Sequence, residues 1–203
     1  MSTQNGNNAI PFYEKDSSYK IAGALSVGGA VFMIAGTFFH WISLFVKTTE
    51  VEHGGISLIK AVIHIIRGGF SIGNILPAFF LLLFYATVVF LGFLGFKDNF
   101  QRQPFLVKGK KRIRFGALAA SLVFVIVLVK LPAMKENLKR FYDLRDSWAS
   151  FIKSSKENAV PGAGLMSCHL FIGLGMILFI IGFAAYLASI IFNFVLETLN
   201  EDD

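Results

Sequence analysis

The chain of 203 residues holds one cysteine, Cys168, so it forms no internal disulfide and lacks the paired thiols that a membrane thiol oxidoreductase exchanges. Charge is scarce as well: 16% of residues are Asp, Glu, Lys or Arg, 55% are hydrophobic, and the mean hydropathy is +0.63. A water-soluble globule of this size has too little polar surface to cover so apolar a chain, and a disordered one has the opposite balance. Contiguous catalytic signatures are missing too. There is no phosphate loop, dinucleotide glycine fingerprint, nucleophile elbow or HExxH helix. None of the long apolar runs contains Asp or Glu, which argues against a buried carboxylate relay for protons. The expectation is a polytopic membrane protein with no enzymatic role and no cofactor.

What is present is four stretches long and apolar enough to cross about 30 Å of hydrocarbon. They lie between charged side chains at about 21–46, 72–96, 113–131 and 164–194. The third is short unless Lys130 turns its ammonium to the nearer interface. The fourth belongs to a run of 38 residues without a charge, 159–196, which as a helix would measure about 57 Å and must tilt, protrude or start late. Residues 1–20 are a polar tail without the cationic start and cleavage pattern of a signal peptide, and 197–203 an acidic tail. Residues 21–196 form a single membrane domain.

The net charge of +6 comes from one connection and is no nucleic-acid signal. Lys108, Lys110, Lys111, Arg112 and Arg114 fall within seven residues, immediately before a span. Each side of the membrane holds nine Lys and Arg, and the density of this cluster places it, with both termini, in the cytoplasm. The absence of paired cysteines and of glycosylation sites in the outer connections favours a bacterial inner membrane.

Both outer connections read as amphipathic helices. In 56–67 the polar residues Ser57, Lys60, His64 and Arg67 recur every three or four positions among Ile, Leu, Val and Ala. In 134–153 the residues Met134, Leu138, Phe141, Trp148 and Ile152 do the same among charges, after a break at Pro132. The fold class is therefore all-α: a four-span bundle, or tetraspan, with two outer amphipathic helices after spans 1 and 3. The plan resembles that of claudin-type tetraspans, sharing the aromatic exit His40-Trp41. The paired outer cysteines of that group are absent, so no membership is assigned.

Candidate chemistry is thin. Four histidines, His40, His53, His64 and His169, lie at or beyond outer span ends, and His40 with His169 is a weak candidate pair for haem or metal. No two have the spacing that puts both on one helix face. The stripe Ser57, Lys60, His64, Arg67, together with Lys130, is a candidate cationic binding surface that favours anions. Glycines and alanines in spans 1, 2 and 4 allow close helix approach. The first expectation is a non-catalytic membrane subunit or scaffold in the lipid bilayer. It assembles with itself or with other membrane proteins through small-residue faces and the outer helices. The second is a small oligomeric channel or transporter lined by the cationic stripe; a histidine-ligated haem or metal protein is the third.

Overall fold

The computed structural model describes residues 12–48, 51–100 and 110–201. The elements in chain order are α1 (Phe12–Phe38), β1 (Ile42–Lys47), β2 (Val51–Ile56), α2 (Leu58–Arg67), α3 (Ile72–Asn99), α4 (Lys110–Lys130), α5 (Pro132–Glu157), a short 3-10 turn at Ala163–Leu165, β3 (Ser167–Ile172) and α6 (Leu174–Glu201). Four helical segments are long and apolar enough to cross a bilayer: Ser17–Phe38, Ile72–Asn99, Arg112–Lys130 and Leu174–Leu196. The chain is thus predominantly helical and multi-pass.

The all-α expectation is corrected by a three-stranded antiparallel sheet of order β2-β1-β3. Ile42 pairs with both Ile56 and Ile172, and Lys47 with Val51 and Ser167. The first span therefore ends at Phe38, not near 46, and the fourth begins at Leu174, not 164. Each of these apolar runs is a helix joined to a strand. Counting residues between charges cannot separate the two, because a short buried strand and a helix turn are equally apolar. In β1 the alternation is visible in burial: Leu44 and Val46 are buried and Lys47 is exposed, as one face of a pleated strand requires.

The spans pack on seams of heptad spacing. On α4 the buried residues are Arg114, Leu118, Ser121, Val125 and Leu128; on α3 they include Pro77, Leu81, Phe84, Val88 and Leu91. Alternating steps of four and three keep one stripe facing its neighbours, the pattern of left-handed bundle packing. The core they build contains Met33, Phe84, Val88, Leu91, Phe179 and Tyr186.

The α1–α6 seam is built from small residues every seven positions: Ala22, Gly29 and Gly36 on one helix, Gly175, Gly182 and Ser189 on the other. A Cβ on Gly29 would lie 2.7 Å from the Gly182 carbonyl oxygen, and one on Gly182 would lie 2.6 Å from that of Gly29. Gly36 and Gly175 face each other in the same way, at 2.6 and 2.5 Å. Only residues without a Cβ permit this approach, in which backbone packs on backbone.

The same antiparallel pair continues out of the helices into the sheet. Gly175 N–H donates to the His40 carbonyl and Gly173 N–H to the Trp41 carbonyl, both at 2.8 Å, and the β1–β3 ladder follows at once. A side chain on Gly173 would collide with the His40 carbonyl, so this glycine is what lets the helix pair become a strand pair. Trp41 seals the transition. Its indole N–H donates to the Gly36 carbonyl at 2.8 Å, one of the carbonyls left open at the end of α1, and its ring meets Phe179 at 5.3 Å.

Beyond the sheet, α2 buries Leu58, Ala61, Val62 and Ile65 and leaves Lys60, His64 and Arg67 exposed. The chain breaks at Leu131, whose extended backbone (φ −57°, ψ 142°) is the conformation a following proline imposes, and α5 starts with Pro132 in its first turn. By Arg145 this helix has reached β3, where the Cys168 Sγ lies 3.9 Å from the Arg145 carbonyl. Sheet, α2 and α5 together form a head at one end of the bundle.

Candidate functional site

Two polar regions stand out, one in the bundle near the chain termini and one on the head. The first corrects the placement of Arg114 in the solvated basic connection. Its side chain is 5% exposed and lies inside the bundle, 3.7 Å from the carboxylate of Asp98, itself 4% exposed. One sequence expectation changes with it: a carboxylate does lie in the bundle, at the end of α3. Phe115 and Ile113, on either side of Arg114, are exposed, so the heptad phase of α4 alone turns Arg114 inward.

Arg114 connects all four spans. Its Nη2 donates to Ser26 Oγ on α1 at 2.9 Å, and its Nε donates to the Tyr186 hydroxyl on α6 at 3.3 Å. The guanidinium carbon lies 5.5 Å from the centre of the Tyr186 ring. The Tyr186 hydroxyl in turn donates to the Leu91 carbonyl on α3 at 2.9 Å. Ser26 and Ser189 are hydrogen-bonded to each other, and both reach the Ala22 carbonyl, at 2.9 and 2.8 Å. Ser26 and Gly95 also fix how closely α1 meets α3, because a Cβ at 95 would overlap that of Ser26.

Chemically this is a lock. A guanidinium does not deprotonate in a protein, and five fixed N–H donors suit it to hold several helices in register. The nearby amides are less complete. Asn99 Nδ2 donates to the Gly95 carbonyl at 2.9 Å, while Asn99 Oδ1 and Asn193 Nδ2 are buried with no hydrogen-bond partner among the described residues. From this cluster outward the core is Leu91, Val88, Phe84, Met33 and Phe179, until Thr37 and Tyr85 bond to each other at 2.7 Å.

On the head, the stripe residues part company. Ser57 is buried as the N-cap of α2, accepting from the Lys60 amide at 3.2 Å, and it lines an apolar cavity of about 270 Å³ with Trp41, Met134, Tyr142 and Met176. His64 instead edges a polar cleft of about 210 Å³ with Asn74, Glu136, Asn137 and Arg140. Glu136 and Arg140, one turn apart on the α5 wall of this cleft, pair at 2.7 Å, but both are exposed. Lys60 and Arg67 are exposed on α2, and Lys130 is exposed at the end of α4; none of the three lines the cleft. The structure brings His64 together with α5 residues that the stripe did not include.

The histidines are not convergent. The His40 ring lies against Gly55, whereas His169 sits in β3 opposite Phe45, five residues further along the ladder from His40. His53 holds the corresponding position opposite Phe45 on β2. Among the described residues no group of three or more His, Cys, Asp or Glu is arranged to hold a metal ion. Of the basic connection, Lys110 and Lys111 form the first turn of α4, Arg112 is exposed, and Lys108 lies outside the described residues.

Cys168 is partly covered. Burial pushes its thiol pKa up, Arg145 pulls it down and Asp146 pushes it up again. The balance favours the neutral thiol.

Compared with protein-family models, curated proteins and solved structures, the chain matches none.

Proposed function

We propose that this chain is a non-catalytic membrane subunit or scaffold that assembles with itself or with other membrane proteins, and that its outer head is the contact surface. The observation that carries the reading is the apolar surface left exposed at β3. This strand ends the sheet, and with the turn before it exposes Leu165, Phe171 and Ile172 at 73%, 54% and 64%. Large apolar side chains exposed together outside the spans are a ready contact surface for another chain. The glycine seam and the ladder of hydrogen bonds from His40 and Trp41 couple the head to the spans, so a partner bound there meets a preorganised surface. α2 and α5 serve as the amphipathic outer helices of this reading. Both termini and the basic connection are on the cytoplasmic side of what we take to be a bacterial inner membrane.

A channel lined by Ser57, Lys60, His64, Arg67 and Lys130 finds less support. Ser57 is turned into an apolar cavity, and the axis of one chain is filled by Phe84, Val88, Leu91 and Met33. Native mass spectrometry of the protein gently extracted from its own membrane tests the proposal. A stoichiometric complex is expected, lost when Leu165→Glu and Phe171→Lys are combined; an isolated monomer from the unaltered chain overturns it.

A further inference from the structure

A second partner is indicated at the other end of the bundle. Between α4 and α6 runs an apolar groove of about 630 Å³, lined by Arg112, Phe115 and Gly116 on one side and Ile190, Ile191 and Phe194 on the other. That volume falls within the about 300–1,000 Å³ typical of small-molecule sites. Phe115, Ile191 and Phe194 are all more than half exposed, and a Cβ on Gly116 would meet nothing within 4 Å. The groove is open along the flank of two spans, where acyl chains are the surrounding medium. At its mouth stands Arg112, exposed, at the end of the run Lys108-Gly109-Lys110-Lys111-Arg112. Arg114 is unavailable to it, being committed to Asp98, Ser26 and Tyr186. The next residue of opposite charge on α6 is Glu197, three positions beyond Phe194.

We propose that this groove binds one anionic phospholipid, its acyl chain lying on Gly116 between Phe115 and Phe194 and its phosphate on Arg112. Charge complementarity selects the occupant. A zwitterionic lipid fills the groove equally well but gains less from a cluster of cations, whereas basic pockets between spans are the recurrent sites of anionic headgroups. Water-soluble phosphates would meet the cations yet leave the apolar walls uncovered.

The test uses the full chain in vesicles of phosphatidylcholine containing one fifth phosphatidylglycerol, extracted gently and weighed by native mass spectrometry. The expected result is one retained phosphatidylglycerol per chain, enriched at least fivefold over its share of the vesicle. Arg112→Gln should abolish the enrichment while some lipid remains. Gly116→Leu, whose Cβ meets no protein atom within 4 Å and whose side chain fills the groove, should remove the bound lipid without lowering the thermal midpoint in detergent. Glycerol 3-phosphate, which has the headgroup chemistry and no tails, should not compete. Equal retention of both lipids, enrichment that survives Gly116→Leu or Arg112→Gln, or displacement by glycerol 3-phosphate would each overturn the proposal. The readout is independent of protein partners and of the head.

Discussion

Adding one methyl group to Gly182 is a sharp test of how the spans are held. The new Cβ would lie 2.6 Å from the Gly29 carbonyl oxygen and 2.7 Å from the Met33 amide nitrogen. Both are backbone atoms that no rotamer change can move aside. Non-bonded heavy atoms need about 3.5–4.0 Å, so α1 and α6 must part locally by about 1 Å, and a gap of that size forfeits a quarter to a half of the dispersion energy of each contact on the seam. Overpacking of this kind costs about 1–3 kcal/mol, and the rigidity of both clashing atoms puts Gly182→Ala at the upper end. Gly28→Ala is the internal control. Nothing lies within 4 Å of a Cβ at that position, so the helix gains about 0.5–1 kcal/mol from the better helix former.

The two variants should therefore move in opposite directions and differ by about 3.5–4 kcal/mol, roughly several hundredfold in the unfolding equilibrium. Reversible unfolding in mixed micelles, followed by far-UV circular dichroism, resolves that difference. Combining Gly29→Ala with Gly182→Ala should cost less than the two separately, because the first substitution has already parted the helices for the second. If Gly182→Ala unfolds at the same denaturant as Gly28→Ala, the seam described here is wrong. If instead the substitution splits an oligomer and leaves the unfolding of the monomer unchanged, these glycines join copies of the chain and do not close its own bundle.

Three further outcomes follow from the same geometry. Arg114→Met removes the cation paired with buried Asp98 and should cost about 3–5 kcal/mol, most of it recovered when Asp98→Asn is added; equal stabilities of single and double variants in the same unfolding assay would refute the lock. Cys168 should react slowly with iodoacetamide at pH 8, since the thiolate is the nucleophile and burial raises its pKa. Asp146→Asn lowers that pKa and speeds alkylation, Arg145→Gln raises it and slows alkylation, and the reverse order would exclude these charges as its neighbours. Ala159, just past the end of α5, has φ +52°, a left-handed conformation that costs a side chain about 1–2 kcal/mol, so Ala159→Gly should raise the thermal midpoint by a few degrees, and a lower midpoint would refute it.

Much of the architecture is legible from charge spacing alone, because crossing hydrocarbon demands long uncharged runs and little else produces them. The sheet escapes that measure for the same reason: Ile42–Val46 and Ser167–Ile172 carry no charge, so they merge with the spans beside them. Two clues to them were present, the surplus length of 159–196 and the alternation of Ile42, Leu44 and Val46 with Ser43, Phe45 and Lys47. Arg114 was hidden by its company. Four cations precede it within six residues, and only its register with Leu118, Ser121 and Val125 distinguishes it from Arg112. The recurrence of a small residue every seventh position, at 22, 29 and 36 and at 175, 182 and 189, was the readable signal for which two spans would be closest. Spacing within one helix did not foretell the division of the Ser57–Arg67 stripe, because where each residue ends up depends on α5, eighty residues away.

These packing arrangements bear on where a partner can attach. A glycine stripe in a span is ordinarily a candidate for joining subunits, but here Gly29, Gly36, Gly175 and Gly182 are occupied by one another, and Gly92 and Gly95 by Ala30 and Ser26. Gly28 and Gly116 are in-span glycines with nothing within 4 Å of a Cβ, Gly73 at the start of α3 meets only Ser71 at 3.9 Å, and Gly116 lies in the groove assigned to lipid. Small-residue association between spans is thus largely spent inside the chain, which shifts the burden of assembly to the head. That shift is testable without knowing the partner. Gly28→Leu should leave complex formation intact, whereas Leu165→Glu with Phe171→Lys should abolish it, and loss of the complex on Gly28→Leu alone would return the interface to the membrane.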